Sequence, residues 1–198
     1  MNDESLPERL ILASSSKYRR MLLQRLHLPF DCEAPGTDET PLSGETAGGL
    51  VSRLASQKAS VIADKHPAAV VIGSDQIAVL NGEILGKPGN HRSAVKQLLS
   101  CSGQTVKFLT SVSVQFPAGG FNQSHTDVTR VCFRKLTEAE IESYLQREKP
   151  YDCAGSFKAE SLGVTLFERI LSEDPTALIG LPLIRTAAML RRAGFRLP

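Results

Sequence analysis

Residues 14–20 (SSSKYRR) bring hydroxyl and guanidinium groups together where an apolar run gives way to a helical pattern. A serine turn that opens a helix presents hydroxyl donors, backbone N–H groups and the positive end of the helix dipole, a combination that binds phosphate. Arg19 and Arg20 add planar cations whose donors match phosphate oxygens. The alternative is an ordinary capped helix with exposed arginines. Because basic residues in a first helical turn oppose the dipole, we predict an anion bound by Ser14, Ser16 and both arginines.

Two acidic positions could hold a cation or accept a proton. Asp75 follows an apolar run at 69–73 that predicts a buried strand, and Glu39 lies in a polar loop. Ligands of α/β proteins collect beyond the carboxyl ends of strands, where a carboxylate can bind a hard cation or take a proton from water. Loop acids are commonly solvated, whereas an acid that ends an apolar strand needs a partner. The pattern predicts that Asp75 ends this strand and, with Glu39, serves hydrolysis at a bound metal.

Two lysines could contact the same anion. Lys87 lies between Gly86 and Pro88, and a glycine and a proline on either side would hold its charge in place. This segment is not the phosphate-binding loop G-x-x-x-x-G-K-[ST]. Lys58 falls within a predicted helix and could reach the anion, although a solvated helix lysine is the alternative.

Residues 153–160 (CAGSFKAE) place small residues before an aromatic and two charged side chains. Small residues allow a ligand to approach closely. Phe157 could line a pocket for a nucleotide base or pack in the core, and aromatic burial favours the core. Residues 180–182 (GLP) predict a turn into the last helix.

Alternating strands and helices must position these segments. The patterns predict strands at 9–13, 30–34, 69–73, 77–80, 83–85, 105–116, 127–133 and 164–170, and helices from 17 onward and at 46–65, 91–100, 137–147 and 183–192. Asn81-Gly82 predicts a type I′ hairpin turn. The mixture of alternating and antiparallel elements indicates an α/β protein with a mixed sheet flanked by helices.

The composition excludes several classes of protein. A net charge of +2 and 6% aromatic residues argue against a nucleic-acid binder. The acidic N-terminal residues do not resemble a signal peptide, and no apolar stretch approaches the roughly 20 residues that span a bilayer. The four cysteines are far apart in sequence, which predicts buried free thiols in a reducing compartment. We therefore expect a cytoplasmic protein with no membrane partner.

Taken together, the segments resemble the Maf family of nucleoside triphosphate pyrophosphatases. The motifs S-S-S-K-Y-R-R, D-E-T, Q-K-A, G-S-D-Q, G-K-P, A-G-S-F-K-A-E and G-L-P follow in the family's order from about residue 10 to residue 190. The resemblance implies an elongated mixed α/β fold with two lobes around a central cleft. It also implies dependence on a divalent metal such as Mg²⁺ or Mn²⁺ and frequent homodimers. We expect one domain over 1–198 with residues 1–8 as an N-terminal extension, and the residue pattern indicates no boundary between the lobes.

Within the family, G-S-D-Q and A-G-S-F-K-A-E look like the subgroup that acts on 7-methyl-GTP. The resemblance assigns Asp75 as proton acceptor and places Tyr18, Gln76 and Glu160 at positions that set base choice. Lys17 stands where the family usually has Pro, and Tyr18 where this subgroup often has Trp. A methylated, cationic guanine would stack on the Tyr18 ring, and a carboxylate at Glu160 would accept both N1–H and N2–H of its Watson–Crick edge.

The predicted reaction is hydrolysis of 7-methyl-GTP to the monophosphate and pyrophosphate. Asp75 and Glu39 would hold the metal, and Lys58 and Lys87 would neutralise phosphate charge. Two alternatives stay open at this point. One is a pyrophosphatase for dTTP, UTP or other non-canonical nucleotides, and the other is a non-catalytic, nucleotide-binding regulator of cell division.

Overall fold

The computed structural model describes residues 7 and 9–198, so most of the predicted extension at 1–8 lies outside the described residues. The strands are β1 (Arg9–Leu12), β2 (Asp31–Cys32), β3 (Ala69–Leu80), β4 (Glu83–Leu85), β5 (Thr105–Phe116), β6 (Phe121–Phe133) and β7 (Phe167–Leu171). The α-helices are α1 (Lys17–Gln24), α2 (Ala47–Ala63), α3 (His91–Cys101), α4 (Glu138–Glu148) and α5 (Leu183–Arg192). Short 3₁₀ turns cover Ala154–Ser156, Leu162–Leu166 and Ala177–Ile179.

The strands form a mixed sheet in the order β2-β1-β3-β5-β6-β7, and β4 pairs with β3. Strand β1 runs parallel to both β2 and β3, whereas β4 and β7 are antiparallel to their neighbours β3 and β6. The predicted mixed α/β sheet with helices is therefore confirmed.

The chain divides into two compact units. Unit 1 contains the described part of Met1–Asp75 together with Thr110–Asp127 and Asp174–Pro198, and unit 2 contains Gln76–Leu109 and Val128–Glu173. The chain passes from one unit to the other within β3, β5 and β6, and once more after β7, between Glu173 and Asp174.

In unit 1, alternation along the strands supplies two separate apolar clusters. Leu10 and Ile72 belong to the cluster that includes Leu22 of α1 and Leu190 of α5. The neighbouring residue Ile11 belongs instead to the cluster that includes Ile62 of α2. Successive side chains of a strand point to opposite faces of the sheet, so helices α1 and α5 pack on one face and α2 on the other.

Gly73 allows α2 to lie very close to β3. A Cβ atom at this position would be 2.2 Å from the Ala55 carbonyl oxygen and 2.5 Å from the Ala59 nitrogen, both backbone atoms of α2. Only a residue without a side chain fits such a contact. The close approach brings this turn of the helix, in which Lys58 lies between Ala55 and Ala59, against the strand that carries Asp75.

In unit 2, four phenylalanines form an aromatic cluster. The Phe157 ring lies 5.2 Å from Phe108, 5.6 Å from Phe133 and 4.8 Å from Phe167 between centroids, each in an edge-to-face arrangement. Phe157 is 5% exposed. Of the two interpretations of this residue, core packing is correct.

The prediction that Asp75 ends a strand is wrong. Strand β3 continues without a break from Ala69 to Leu80, and Asp75 lies in its middle. The polar run at 74–76 resembled a strand end because isolated buried polar groups are costly. The strand continues because Ser74 and Asp75 are both buried with hydrogen-bond partners.

Among the other local predictions, the hairpin turn is confirmed and two strand boundaries are wrong. The hairpin turn is confirmed, with Asn81 at φ 50° and Gly82 at φ 89° between β3 and β4. Strand β6 begins at Phe121, six residues before the predicted start, and the segment predicted to start a strand at 164 is a 3₁₀ turn that precedes β7.

All four cysteines are free thiols, but only Cys101 is buried, so the prediction of burial is wrong for the other three. In residues 7 and 9–198, no helix has the length and apolar character needed to cross a membrane.

The contact at Gly73 predicts that Gly73→Ala destabilises the protein. Because the obstructing atoms are backbone, α2 must move away from β3, and we expect a loss of about 1–3 kcal/mol in the free energy of unfolding. Urea denaturation followed by far-UV circular dichroism measures this difference.

Gly48→Ala, in the first turn of α2, is the matched control. A Cβ atom there would meet nothing within 4 Å, so the substitution should leave stability equal or slightly higher through its better helix propensity. Equal stabilities for the two variants would contradict the proposed packing role of Gly73.

Candidate active site

Lys58 of α2 forms ion pairs with two acidic side chains of unit 1. Its Nζ atom is 2.7 Å from Asp75 Oδ1 and 2.5 Å from Glu39 Oε1. Lys58 and Asp75 are 6% and 7% exposed, whereas Glu39 is exposed. The interpretation of Lys58 as a solvated helix lysine is therefore wrong. One ammonium group holds two carboxylates that are 36 residues apart in sequence close to each other.

Arg19 completes the charge distribution around these carboxylates. It is half-buried on α1, and its Nε donates a hydrogen bond to the Gly180 carbonyl oxygen at 3.0 Å. Burial lowers the pKa of the Arg19 guanidinium, and the negative charges of Asp75 and Glu39 oppose that shift. Arginine stays protonated at any ordinary pH, so a positive charge is held close to the two acids.

Gly180 and Ser74 support this arrangement, although no sequence pattern predicted that they belong to it. The Ser74 hydroxyl lies 2.8 Å from the Ser111 carbonyl oxygen and 3.0 Å from that of Gly180, and is fully buried. Gly180 has φ 127°, a conformation that favours glycine. The G-L-P segment thus forms the predicted turn and also presents a carbonyl that orients Arg19. The turn signal gave no indication of this second role.

The serine turn before α1 forms as predicted. The Ser16 hydroxyl caps the helix by accepting a hydrogen bond from the Arg19 N–H at 3.4 Å, and the Ser14 hydroxyl accepts one from the Ser16 N–H at 3.1 Å. Two backbone N–H groups that could have contacted a phosphate are therefore already used. Both hydroxyl oxygens act as acceptors, which leaves each O–H proton able to donate to an anion.

The remaining predicted residues of α1 differ in their surroundings. The Lys17 Nζ atom lies 4.9 Å from the centroid of the Tyr18 ring, a cation–π distance. Arg20 is exposed and close to Cys32 of β2, where its charge opposes the rise that burial causes in the pKa of the thiol. Arg19 thus lies among the acids, whereas Arg20 is open to solvent.

Unit 2 contains the other three predicted residues, Gln76, Lys87 and Glu160. Gln76 is half-buried in β3, and Lys87 and Glu160 are exposed. Lys87 lies between β4 and α3, in a loop whose Gly89 N–H donates to the Tyr151 carbonyl oxygen at 3.0 Å.

The segment that carries Glu160 is attached to α4 through Glu148. The Lys158 ammonium donates to the Glu148 carbonyl oxygen at 2.6 Å, and the Leu162 N–H donates to the Glu148 side chain at 3.2 Å. Ser161 also donates to this side chain. The Ser161 hydrogen bond is the main cause that lowers the pKa of the Glu148 carboxyl. Glu160 therefore lies between Lys158 and Leu162, which are both hydrogen-bonded to Glu148.

Comparison with models of protein families shows which family the chain belongs to. The family model described as Maf-like protein matches residues 9–193. The chain belongs to the Maf family.

Curated relatives of this Maf chain share more than half of its residues. A protein named 7-methyl-GTP pyrophosphatase from Polaromonas sp. (strain JS666) is 58% identical over 188 residues, which is 95% of this chain and 86% of the relative. Proteins with the same name from Xanthomonas oryzae pv. oryzae (strain MAFF 311018) and Nitrosococcus oceani are 56% and 52% identical and cover 96% of this chain, with 99% and 95% of the relatives covered. Among solved structures, the Staphylococcus aureus Ham1 protein aligns with a TM-score of 0.46 and 16% identity over 64% of this chain and 72% of that chain.

The buried ion pair predicts that Lys58→Met destabilises this Maf protein. The substitution keeps the length of the side chain but leaves the buried Asp75 carboxylate without its ammonium partner. We expect a loss of about 3 kcal/mol in the free energy of unfolding at neutral pH, measured by urea denaturation. Adding Asp75→Asn to the same chain should restore part of the loss, because the double variant has no carboxylate at this position to stabilise.

Lys65→Met, just beyond the end of α2, is the control. Lys65 pairs with Glu33 at 3.2 Å, and both side chains are at least one-third exposed. A surface pair of this kind contributes less than about 1 kcal/mol. If Lys58→Met costs no more than Lys65→Met, the Lys58 ammonium does not stabilise a buried acid.

Proposed function

We propose that this Maf protein is a nucleoside triphosphate pyrophosphatase that hydrolyses 7-methyl-GTP to 7-methyl-GMP and pyrophosphate. The observation that carries the proposal is the buried Asp75 carboxylate, which is held by Lys58 beside Glu39 and Arg19. A protein that only binds nucleotides does not need a buried, oriented acid, whereas a hydrolase needs such a group to accept a proton from water. The names of the curated relatives support the choice of 7-methyl-GTP among nucleotides.

In the proposed reaction, Asp75 accepts a proton from a water molecule whose oxygen attacks the α-phosphorus. The bond from the α-phosphorus to the oxygen that bridges the α- and β-phosphates breaks, and its electron pair leaves with pyrophosphate. The ion pair with Lys58 fixes the orientation of the Asp75 carboxylate before substrate binds, which reduces the reorganisation required during the reaction.

Phosphate binding is assigned to the cations and hydroxyls at the start of α1. Arg19 and Arg20 offer guanidinium forks, and the Ser14 and Ser16 hydroxyls offer donors at the start of α1. The resemblance to the Maf family also assigns Lys87 to phosphate binding, as a point charge on an anchored loop. Positive charges of this kind neutralise the triphosphate and stabilise the pyrophosphate that leaves.

Glu39 and Asp75 suit a divalent cation such as Mg²⁺ or Mn²⁺. Their carboxylate oxygens already converge on one positively charged atom, Lys58 Nζ. Within the described part of the chain, no group of three or more His, Cys, Asp or Glu side chains could hold a metal ion. This donor set fits Mg²⁺, which is commonly bound by one or two carboxylates with phosphate oxygens and water as further ligands. The bound ion would supply further neutralisation of phosphate charge.

Base choice is assigned to Tyr18, Gln76 and Glu160 on the resemblance to the Maf subgroup. N7-methylation makes guanine cationic, which favours both an aromatic face and a carboxylate. Lys17 already occupies one face of the Tyr18 ring. A cationic base would therefore stack on the opposite face or displace the lysine.

The role of Asp75 predicts that Asp75→Asn abolishes turnover. An amide cannot accept the proton from water, and loss of a general base reduces rates by about 10²–10⁴-fold. Pyrophosphate release from 7-methyl-GTP, measured with Mg²⁺ or Mn²⁺ and after chelation with EDTA, tests the base and the metal together.

Asp64→Asn, an exposed acid at the end of α2, is the control and should keep full activity. A fully active Asp75→Asn protein, folded by circular dichroism, would refute the assignment of Asp75. Undiminished activity in EDTA would refute the proposed metal.

The role of Glu160 predicts a change in substrate ranking. Glu160→Gln loses the negative charge and one acceptor for the guanine edge, which uracil and thymine do not need. We expect kcat/KM for 7-methyl-GTP to fall about 10- to 100-fold relative to dTTP and UTP, as expected for loss of charged hydrogen bonds. Glu83→Gln, an exposed acid of β4, is the matched control. An unchanged ranking would show that Glu160 does not read the base.

A further inference from the structure

Gln97 of α3 connects the two segments of unit 2 that carry Lys87 and Glu160. Its Nε2 donates a hydrogen bond to the Gly86 carbonyl oxygen at 2.9 Å, and its Oε1 accepts one from the Ser156 hydroxyl at 2.5 Å. The orientation of the amide follows from chemistry, because a carbonyl oxygen can only accept and must therefore face the NH₂ group. The two ends of one side chain thus have two different partners that are 70 residues apart in sequence.

The support for Gln97 is rigid. Helix α3 is anchored in the core by Ala94, Leu98 and Cys101, none of which is accessible to solvent. Gln97 lies on the same helix one residue before Leu98 and is half-buried. Its side chain therefore extends from a fixed point.

The first partner belongs to the loop that carries Lys87. Gln97 holds this loop at Gly86, immediately before the lysine, and Tyr151 holds it at Gly89, two residues after the lysine. Pro88 is buried between these contacts. The backbone on both sides of Lys87 is thereby fixed, although its ammonium is exposed.

The second partner belongs to the segment that carries Glu160. Ser156 has φ 63°, a left-handed conformation that costs a non-glycine residue about 1–2 kcal/mol. Such a conformation persists only where the surroundings hold it. The hydrogen bond from Ser156 to Gln97 is one such restraint, and it lies four residues before Glu160.

We propose that Gln97 is a positioning residue that sets the phosphate-binding loop at Lys87 and the base-reading segment at Glu160 in fixed geometry relative to each other. The inference rests on the proposed function for the roles of Lys87 and Glu160. The linkage itself rests on the two hydrogen bonds. Its consequence is that one side chain outside the reacting groups affects both phosphate affinity and base preference.

Three substitutions separate the two contacts. Gln97→Glu keeps an acceptor for Ser156 and loses the donor to Gly86. Ser156→Ala removes only the hydroxyl and leaves the contact of Gln97 with Gly86. Gln97→Met removes both hydrogen bonds at nearly constant length. Gln146→Met, an exposed glutamine of α4 that bonds only to Glu142 among the contacts described, is the matched control.

Two kinetic quantities report the two contacts. Inhibition by added pyrophosphate reports the Lys87 loop, and the ratio of kcat/KM for 7-methyl-GTP to that for dTTP reports the Glu160 segment. We expect Gln97→Glu to weaken pyrophosphate inhibition about three- to tenfold with the ratio retained, and Ser156→Ala to reduce the ratio by a similar factor with inhibition retained. Gln97→Met should change both quantities, and Gln146→Met should change neither.

Hydrogen exchange measured by mass spectrometry gives a readout that does not depend on activity. We expect faster exchange at 86–89 in Gln97→Glu, at 153–162 in Ser156→Ala, and at both segments in Gln97→Met. A uniform loss of protection throughout unit 2 in the single-contact variants would show a purely structural role and overturn the proposal.

The remaining outcomes are also decisive. If Gln97→Met folds and leaves both kinetic quantities and both exchange rates at the wild-type values, Gln97 does not position these segments. If Gln97→Met does not fold, the two single-contact variants decide, and identical effects from both would overturn the proposal. If the wild-type protein cleaves no nucleoside triphosphate, the proposed function fails, and hydrogen exchange alone then decides the linkage.

Discussion

A single buried ammonium group determines the arrangement of the candidate active site. Lys58 bonds to Asp75 and Glu39 at hydrogen-bonding distance, and both Lys58 and Asp75 are almost fully removed from solvent. A carboxylate buried without a partner would be strongly unfavourable, so the charges of this pair are stable only together. The same pairing leaves the acid oriented and close to Arg19, which is the arrangement that general-base chemistry on a charged phosphate requires.

That ion pair requires a close approach between a helix and a strand. Gly73 places the α2 backbone against β3 at a distance that no Cβ atom would permit, and Lys58 and Asp75 are then adjacent. Gly180 has a comparable role for Arg19, since its left-handed backbone presents the carbonyl oxygen that receives the Nε hydrogen bond. Two glycines without side-chain chemistry thus position the charged groups of unit 1.

Unit 2 uses side-chain hydrogen bonds for a similar purpose. Lys87 and Glu160 are exposed, so neither is positioned by burial. Gln97 and Glu148, which extend from packed helices, bond to the backbone or hydroxyls next to these residues. An exposed side chain on an anchored backbone loses less conformational entropy on binding than one on a mobile loop.

The sequence by itself determined the elements whose signals are local. Ser16 as helix cap and the Asn81-Gly82 turn were both predictable because each depends on residues a few positions away. The family also followed from the ordered motifs. Tertiary structure alone decided that β3 continues through Asp75, that Lys58 is buried between two acids, and that Gly180 contacts Arg19. These outcomes depend on partners distant in sequence, 161 residues in the last case, and the burial of a polar group is decided by whether such a partner reaches it.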